Sequence, residues 1–165
     1  MPDSVQARSH LLSLLHGFDT AMLATRTVAG GVRGRPMGFA EVQDDGKMLF
    51  SSSLDDPKIA ELQNDPHVAV LMQGKTQWIS ISGKASIVRD RTLIDRLWSD
   101  SWKLWFPEGK TDPMLCIIVV DPTEGEYWDN SGTHGMRFAI EAAKAYLHGR
   151  TPDARKMDEN AKVRL

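Results

Sequence analysis

Short connections between strand-like runs are the feature that most constrains the fold of this chain. Turn residues separate most of these runs, and Asp45-Gly46 is a dipeptide that favours a tight hairpin. Hairpins join antiparallel strands, whereas parallel strands need a long crossover connection, so antiparallel pairing is expected. The predicted strands are 19–28, 36–43, 47–53, 67–73, 77–90 and 114–129.

Helices are predicted around this series of strands. Asp56 followed by Pro57 is typical of a helix N-terminus. The element order α, β, β, β, α, β, β, α, β, α has no continuous βαβ rhythm, which favours a mainly β (α+β) fold with peripheral helices. Six antiparallel strands close most simply into a small barrel, because closure removes exposed edges. The predicted helices are 4–16, 57–64, 91–106 and 134–150.

The length of 165 residues suits one domain with its own core. We assign residues 1–150 to this domain and residues 151–165 to a loose polar C-terminal tail. The net charge of -2 argues against a general nucleic-acid binder, which normally has a basic excess. Because no apolar run approaches the roughly 18 residues of a membrane span and no signal peptide is apparent, we expect a cytoplasmic protein without a membrane partner.

Anion-binding side chains collect at one end of the predicted hairpin 36–53. Pairing within this hairpin brings Arg35 near the end of the returning strand, which Ser51 and Ser52 occupy. Lys58 follows in the first turn of the next helix, whose free backbone N–H groups also attract anions. Each feature alone is typical of a solvated turn or surface. Together they predict a phosphate pocket, although the chain has neither a P-loop motif nor a G-x-G-x-x-G fingerprint.

Tryptophans supply the flat apolar surface that an aromatic cofactor would need. Trp98, Trp102 and Trp105 follow one another at spacings of four and three, which places them on one face of the predicted helix 91–106. Packing of that helix on the barrel is the simpler interpretation, but Trp105 ends the helix and could reach a neighbouring site. Trp78 and Trp128 lie at strand ends, where they could form walls of the same site.

No pattern assigns a metal site or a catalytic residue. The five histidines have no ligand spacing with cysteine or acidic partners, and the G-x-S-x-G nucleophile motif is absent. Cys116 lies within an apolar run and is expected to be a small buried side chain of the core.

The ordered set of motifs from about residue 8 to residue 148 resembles the pyridoxamine 5′-phosphate oxidase-like flavoproteins, and within them the general stress proteins. The resemblance implies a six-stranded antiparallel split β-barrel, forming a homodimer that binds FMN at the subunit interface. The motifs that carry it are AMLAT (21–25), RGRPM (33–37), MLFSSSLDDPKIAEL (48–62), NDPHVAVLM (64–72), WISISGKASIV (78–88), LWFPEGKTDPMLCIIVV (104–120) and EYWD (126–129).

The resemblance also implies roles for individual residues. Arg35 and Lys58 align with cations that contact the flavin phosphate. Ser51 and Ser52 match strand-end positions that hold phosphate and ribityl oxygens. The other aligned positions border the isoalloxazine ring or face it from the second subunit: Pro36, Met37, Gln77, Trp78 and Trp128. Trp105, from the aromatic pattern above, completes the candidate cofactor-binding set.

Two departures from the family pattern concern the vitamin-making oxidase. A lysine of the oxidase is replaced by Ala40, and the segment EYWDNSGTHGMRF (126–138) lacks the R-x-H that grips the substrate phosphate. The resemblance therefore favours an FMN-binding stress protein, with any oxidoreductase substrate left open. Two alternatives remain, a genuine pyridoxamine or pyridoxine 5′-phosphate oxidase and a barrel without flavin, such as an oligonucleotide-binding fold.

Overall fold

The computed structural model describes residues 4–147 and 159–165. Two short 3₁₀ helices, Asp100–Leu104 and Gly109–Thr111, follow the third α-helix. The elements are α1 (Ser4–Leu15), β1 (Thr20–Arg26), β2 (Val32–Gly38), β3 (Glu41–Val42), β4 (Met48–Ser53), α2 (Pro57–Asn64), β5 (His67–Gln73), β6 (Gln77–Val88), α3 (Arg91–Leu97), β7 (Leu115–Asp129), α4 (Gly132–Leu147) and β8 (Glu159–Arg164).

All strand pairs form one antiparallel sheet that curls into a half-barrel, in the order β2-β1-β5-β6-β7-β4-β3 with β8 beside β7. The long strand β7 organises this sheet. It pairs with β6 from Ile117 to Asp129, and its other edge is shared by β4 and β8. A register shift between Ser82 and Gly83 of β6 falls beside Pro122 of β7. The mainly β split-barrel class is thus confirmed.

The predicted count of six strands is wrong, because the sheet has eight within the described residues. The predicted strand 36–43 is two strands, β2 and β3. The first begins at Val32, inside the predicted turn, and pairs with β1 instead of β4. The last strand, β8, lies in the predicted loose tail. Its alternation places Ala161 and Val163 in the core, so the tail prediction is wrong for residues 159–165, and residues 148–158 lie outside the described part.

The predicted helix 91–106 is also interrupted. The backbone of Trp98 is extended, with ψ 131°, so α3 ends there and the chain continues in a 3₁₀ helix. The three tryptophans consequently do not share one helical face. Trp102 is buried, Trp98 packs edge-on against it, and Trp105 is 68% exposed.

Two hydrophobic cores lie on opposite faces of β4 and β7. Met48 and Phe50 point into the larger core, which α1 and α2 cover, whereas Leu49 points into the smaller core with Trp102 and Ile94. This alternation along β4 decides which side chains at its end can reach α2. No helix among the described residues is long and apolar enough to cross a membrane.

Candidate functional site

Lys58 is the most buried of the predicted cations. Asp56 caps α2 by accepting a hydrogen bond from the Lys58 backbone N–H at 3.0 Å, and Pro57 occupies the first helical position. The Lys58 side chain is 8% exposed, with its Nζ 2.5 Å from Asp56 Oδ2 and 3.2 Å from Ser52 Oγ. Because lysine is seldom buried without a specific partner, this ammonium group marks a specialised position.

Arg35 reaches α2 from strand β2, through a buried polar network. It lies opposite Leu23 on β1, so its side chain shares the inward face with Thr25. Nη1 donates to Thr25 Oγ1 at 2.6 Å, and Nη2 donates to Glu61 Oε2 at 2.7 Å. Thr25 donates to the same Glu61 oxygen at 2.5 Å. The network ties β1, β2 and α2 together.

The two carboxylates of this region are both ionised at neutral pH. The hydrogen bond from Thr25 holds the pKa of Glu61 below its ordinary value, burial opposes it, and Arg35 adds to the lowering. Burial pushes the pKa of Asp56 upward, but hydrogen bonds from Lys58 and the charge of Arg35 outweigh it and leave the pKa lowered. Arg35 binds Glu61, which follows Lys58 by three residues on α2, so the Arg35 and Lys58 cations lie on the same side of that helix. We call Arg35, Ser52 and Lys58 the cation cluster.

The serines predicted to act together are separated by strand alternation. Ser52 is buried and faces Lys58, whereas Ser51 lies on the opposite face of β4, beside Ile117 of the smaller core. Cys116, opposite Ser52, donates its thiol to the Ser52 carbonyl at 3.3 Å. Burial raises the pKa of Cys116 to about 11, so this thiol is protonated at neutral pH and does not serve as a nucleophile.

Trp78 and Trp128 lie at the opposite end of β7 from the cation cluster within one chain. Trp78 and Trp128 are directly opposite each other on β6 and β7, both half-buried. Cys116, the neighbour of Ser52 on the sheet, precedes Trp128 by twelve residues of β7, about 40 Å along an extended strand. Within one chain the two tryptophans and the Ser52–Lys58 pair therefore belong to opposite ends of β7.

The three other positions are also dispersed. Met37 packs against the larger core, and Pro36 is exposed on the other face of β2. Trp105 is exposed after the first 3₁₀ helix. One chain thus brings together Arg35, Ser52 and Lys58, and places Trp78 and Trp128 at the other end of β7.

Gln77 belongs to a second polar cluster, at the end of β7. Its Nε2 donates to Asp129 Oδ1 at 3.3 Å, and His10 Nε2 lies 2.9 Å from Asp129 Oδ2. Ser131 N–H also donates to Asp129, at 2.9 Å. These bonds anchor α1 to the end of the sheet beside Trp128. The sequence pattern gave His10 no role and no sign of this partner.

Sequence reasoning also missed Thr25, Asp56 as a charge partner, and Glu61. A signal existed for two of them. Thr25 follows Ala21 and Leu23 at the period of two that marks the inward face of a strand, and Glu61 follows Lys58 by three residues, on the same side of α2. No group of three or more metal-binding side chains lies together in the described residues.

The fold and the cation cluster define a class, that of split-barrel proteins with a buried cationic site where a strand meets a helix. The sequence profile of the family described as pyridoxamine 5′-phosphate oxidase like matches residues 6–153. The chain belongs to this family.

Curated relatives point to one part of the family. General stress protein 26 of Bacillus subtilis is 30% identical over 123 residues, which cover 71% of this chain and 84% of that protein. Protein bli-3 of Neurospora crassa is 28% identical over 134 residues, or 74% of this chain. This chain matches only 64% of the length of bli-3.

Solved structures support the same placement. A putative general stress protein 26 from Jannaschia sp. CCS1 is 26% identical with a TM-score of 0.73, covering 99% of this chain and 100% of that one. The general stress FMN/FAD binding protein of Xanthomonas citri is 29% identical with a TM-score of 0.67, covering 78% and 92%. The homology to general stress protein 26 therefore rests on both sequence and fold.

Proposed function

We propose that this chain is an FMN-binding general stress protein that works as a homodimer, with a flavin-dependent oxidoreductase activity on a substrate still to be identified. The observation that carries the proposal is the buried Lys58 ammonium, held beside the Ser52 hydroxyl and within electrostatic reach of Arg35. The Xanthomonas citri relative, described as an FMN/FAD binding protein, supports a flavin as the ligand.

The donors of the cation cluster fit a phosphate group. Lys58 has three N–H donors, of which two have acceptors among the described side chains, Asp56 and Ser52. Arg35 has five, and Thr25, Glu61 and the Leu23 carbonyl together accept three bonds from it. The donors that remain can bind phosphate oxygens through charge-assisted hydrogen bonds. These residues would hold the FMN phosphate.

The separation of Trp78 and Trp128 from Lys58 within one chain supports the proposed homodimer. Trp78 and Trp128 offer flat half-buried surface, but they lie at the far end of β7 from their own Lys58. A second copy related by a twofold axis could place its tryptophans near this Lys58, because such an axis pairs opposite ends of identical elements. The ring system of FMN would then lie between the two subunits.

A bound flavin would supply the capacity to accept and donate electrons. In this proposal the chain itself binds the phosphate, orients the ring and excludes water. We assign no general acid or base. Ala40, which replaces a lysine of the oxidase, packs against the smaller core and offers no donor to a substrate phosphate, so we do not propose pyridoxamine 5′-phosphate oxidation. We also place the protein in the cytoplasm, which cell fractionation would test.

The first experiment is the visible absorption spectrum of the purified protein before and after incubation with FMN and gel filtration. Retention of about one FMN per chain, on a particle of twice the monomer mass, would support the proposal. Absence of flavin after reconstitution would overturn it. Turnover of pyridoxamine 5′-phosphate by the loaded protein would instead establish the oxidase alternative.

A further inference from the structure

Each cation of the cluster already has a carboxylate partner, and the two carboxylates differ in their surroundings. Glu61 is 6% exposed and accepts hydrogen bonds from both Thr25 and Arg35. Asp56 is 38% exposed and stands at the first turn of α2, with one oxygen on the Lys58 ammonium and the other on the Lys58 backbone N–H. A phosphate entering the cluster would meet both negative charges.

Hydrogen bonds from Thr25 and Arg35 fix the Glu61 carboxylate in place, so it positions Arg35 and does not compete with a ligand. Its Oε2 receives two short hydrogen bonds from residues on two different strands, and Thr25 is itself buried. Losing this carboxylate would release Arg35, whose guanidinium has no other charged partner within 3 Å among the described residues. The bonds to Thr25, Glu61 and the Leu23 carbonyl fix the guanidinium and leave its two remaining N–H groups for a ligand.

Asp56 acts in the opposite direction. Its Oδ2 occupies one donor of Lys58, the same ammonium that would bind phosphate. If Asp56 moves aside, an ion pair must be broken. If it stays, a carboxylate and a phosphate lie on one ammonium and repel each other. Either way the Asp56 charge lowers the affinity for an anion.

We infer that the two carboxylates have opposed roles in binding the flavin phosphate: Glu61 is a positioning residue that holds Arg35 for the phosphate, and Asp56 is a built-in competitor for Lys58. This inference rests on the proposed function, since it concerns the same site. In this inference the two carboxylates offset the charges of the two cations. The Asp56 carboxylate makes the affinity for FMN lower than Lys58 and Arg35 alone would give.

The test compares FMN and riboflavin, which lacks the phosphate, as ligands of three variants. Asp56→Asn keeps a helix-capping oxygen and removes the charge, because asparagine caps helices about as well as aspartate. Glu61→Gln keeps the shape of Glu61 and removes its charge. Glu41→Gln is the matched control, since Glu41 pairs with Arg96 through two hydrogen bonds outside the site. Dissociation constants come from quenching of flavin fluorescence.

Opposite signs are expected for FMN. Asp56→Asn should bind FMN about three- to fivefold more tightly, and Glu61→Gln about tenfold more weakly. Neither variant should change riboflavin affinity, and Glu41→Gln should match the wild type for both ligands. A merely structural role would shift both ligands alike.

The possible outcomes distinguish a failure of this inference from a failure of the proposed function. A wild-type protein that binds no flavin would overturn the proposed function and this inference together. If the wild type binds FMN, either of two results would overturn the inference alone. One is that Asp56→Asn binds FMN no more tightly than the wild type. The other is that Glu61→Gln loses affinity for FMN and for riboflavin equally.

Discussion

At the scale of single residues, the buried Lys58 ammonium is the group on which ligand affinity most depends. Replacing it by Met keeps an apolar stem in the same space and removes the charge. We expect FMN affinity to fall by about 1.5–3 kcal/mol, the value of a hydrogen bond to a charged group, or roughly 10- to 150-fold. Titration with FMN measures it, and Lys47→Met, at an exposed pair with Asp45, is the control. An affinity equal to that of the wild type would remove Lys58 from the site.

The tryptophans of residues 98–105 differ as single residues although their spacing in sequence is regular. Trp102 is 9% exposed in the smaller core, whereas Trp105 is 68% exposed. We expect Trp102→Ala to lower the free energy of unfolding by about 3–5 kcal/mol and Trp105→Ala to change it by less than about 0.5 kcal/mol. Urea denaturation measures both. Equal losses in the two variants would show that Trp105 is also buried, for instance by a second subunit.

At the scale of elements, Glu61 ties α2 to the β1–β2 hairpin, and this tie depends on its charge. Because its folded pKa is lowered, its stabilisation is complete above the unfolded value near 4.5 and is lost as the pH falls through the lower folded value. We expect Glu61→Gln to be destabilised at pH 7 by about 1–3 kcal/mol and the gap to the wild type to close towards pH 3. Urea midpoints at several pH values measure it, and a gap that stays constant with pH would contradict it.

Local signals in the sequence predicted where helices and turns lie better than they predicted which strands pair with each other. Asp56 and Pro57 fixed the start of α2, and the turn at Asp45-Gly46 gave the register that β3 and β4 adopt, with Val42 opposite Met48. The same hairpin could not be extended to Arg35, because β2 pairs with β1 around a turn that Gly30 closes with φ +91°. That choice between two partners for β2 depends on long-range packing, which no dipeptide encodes.

At the scale of the whole molecule, half of the candidate site could be predicted because its residues follow one another in sequence. Ser52 and Lys58 are six residues apart, so a strand end and a helix start suffice to bring them together. The contact between Thr25 and Glu61 joins residues 36 apart and depends on how α2 packs against β1. The resemblance to the family supplied the roles of Trp78 and Trp128. These residues lie at the other end of β7 from the cation cluster in one chain, which is why the proposed site needs a second subunit.

The proposed dimer makes a prediction that no single-chain site shares. Lys58→Met disables the phosphate end of a site and Trp128→Ala its aromatic end, so each variant alone should retain little FMN. In a mixed dimer one site receives the intact Lys58 of one chain and the intact Trp128 of the other, while the second site carries both substitutions. Refolding the two variants together at equal amounts should produce mixed dimers in half of the population.

The expected result is therefore recovery of roughly a quarter of the wild-type FMN sites. Gel filtration followed by the flavin absorbance of the dimer fraction measures it, and differently tagged chains confirm that mixed dimers have formed. Each variant refolded alone is the control for residual binding. If mixed dimers form and bind no more FMN than the two controls, Lys58 and Trp128 do not complete one site across the interface, because complementation requires that each chain contribute one end of the site.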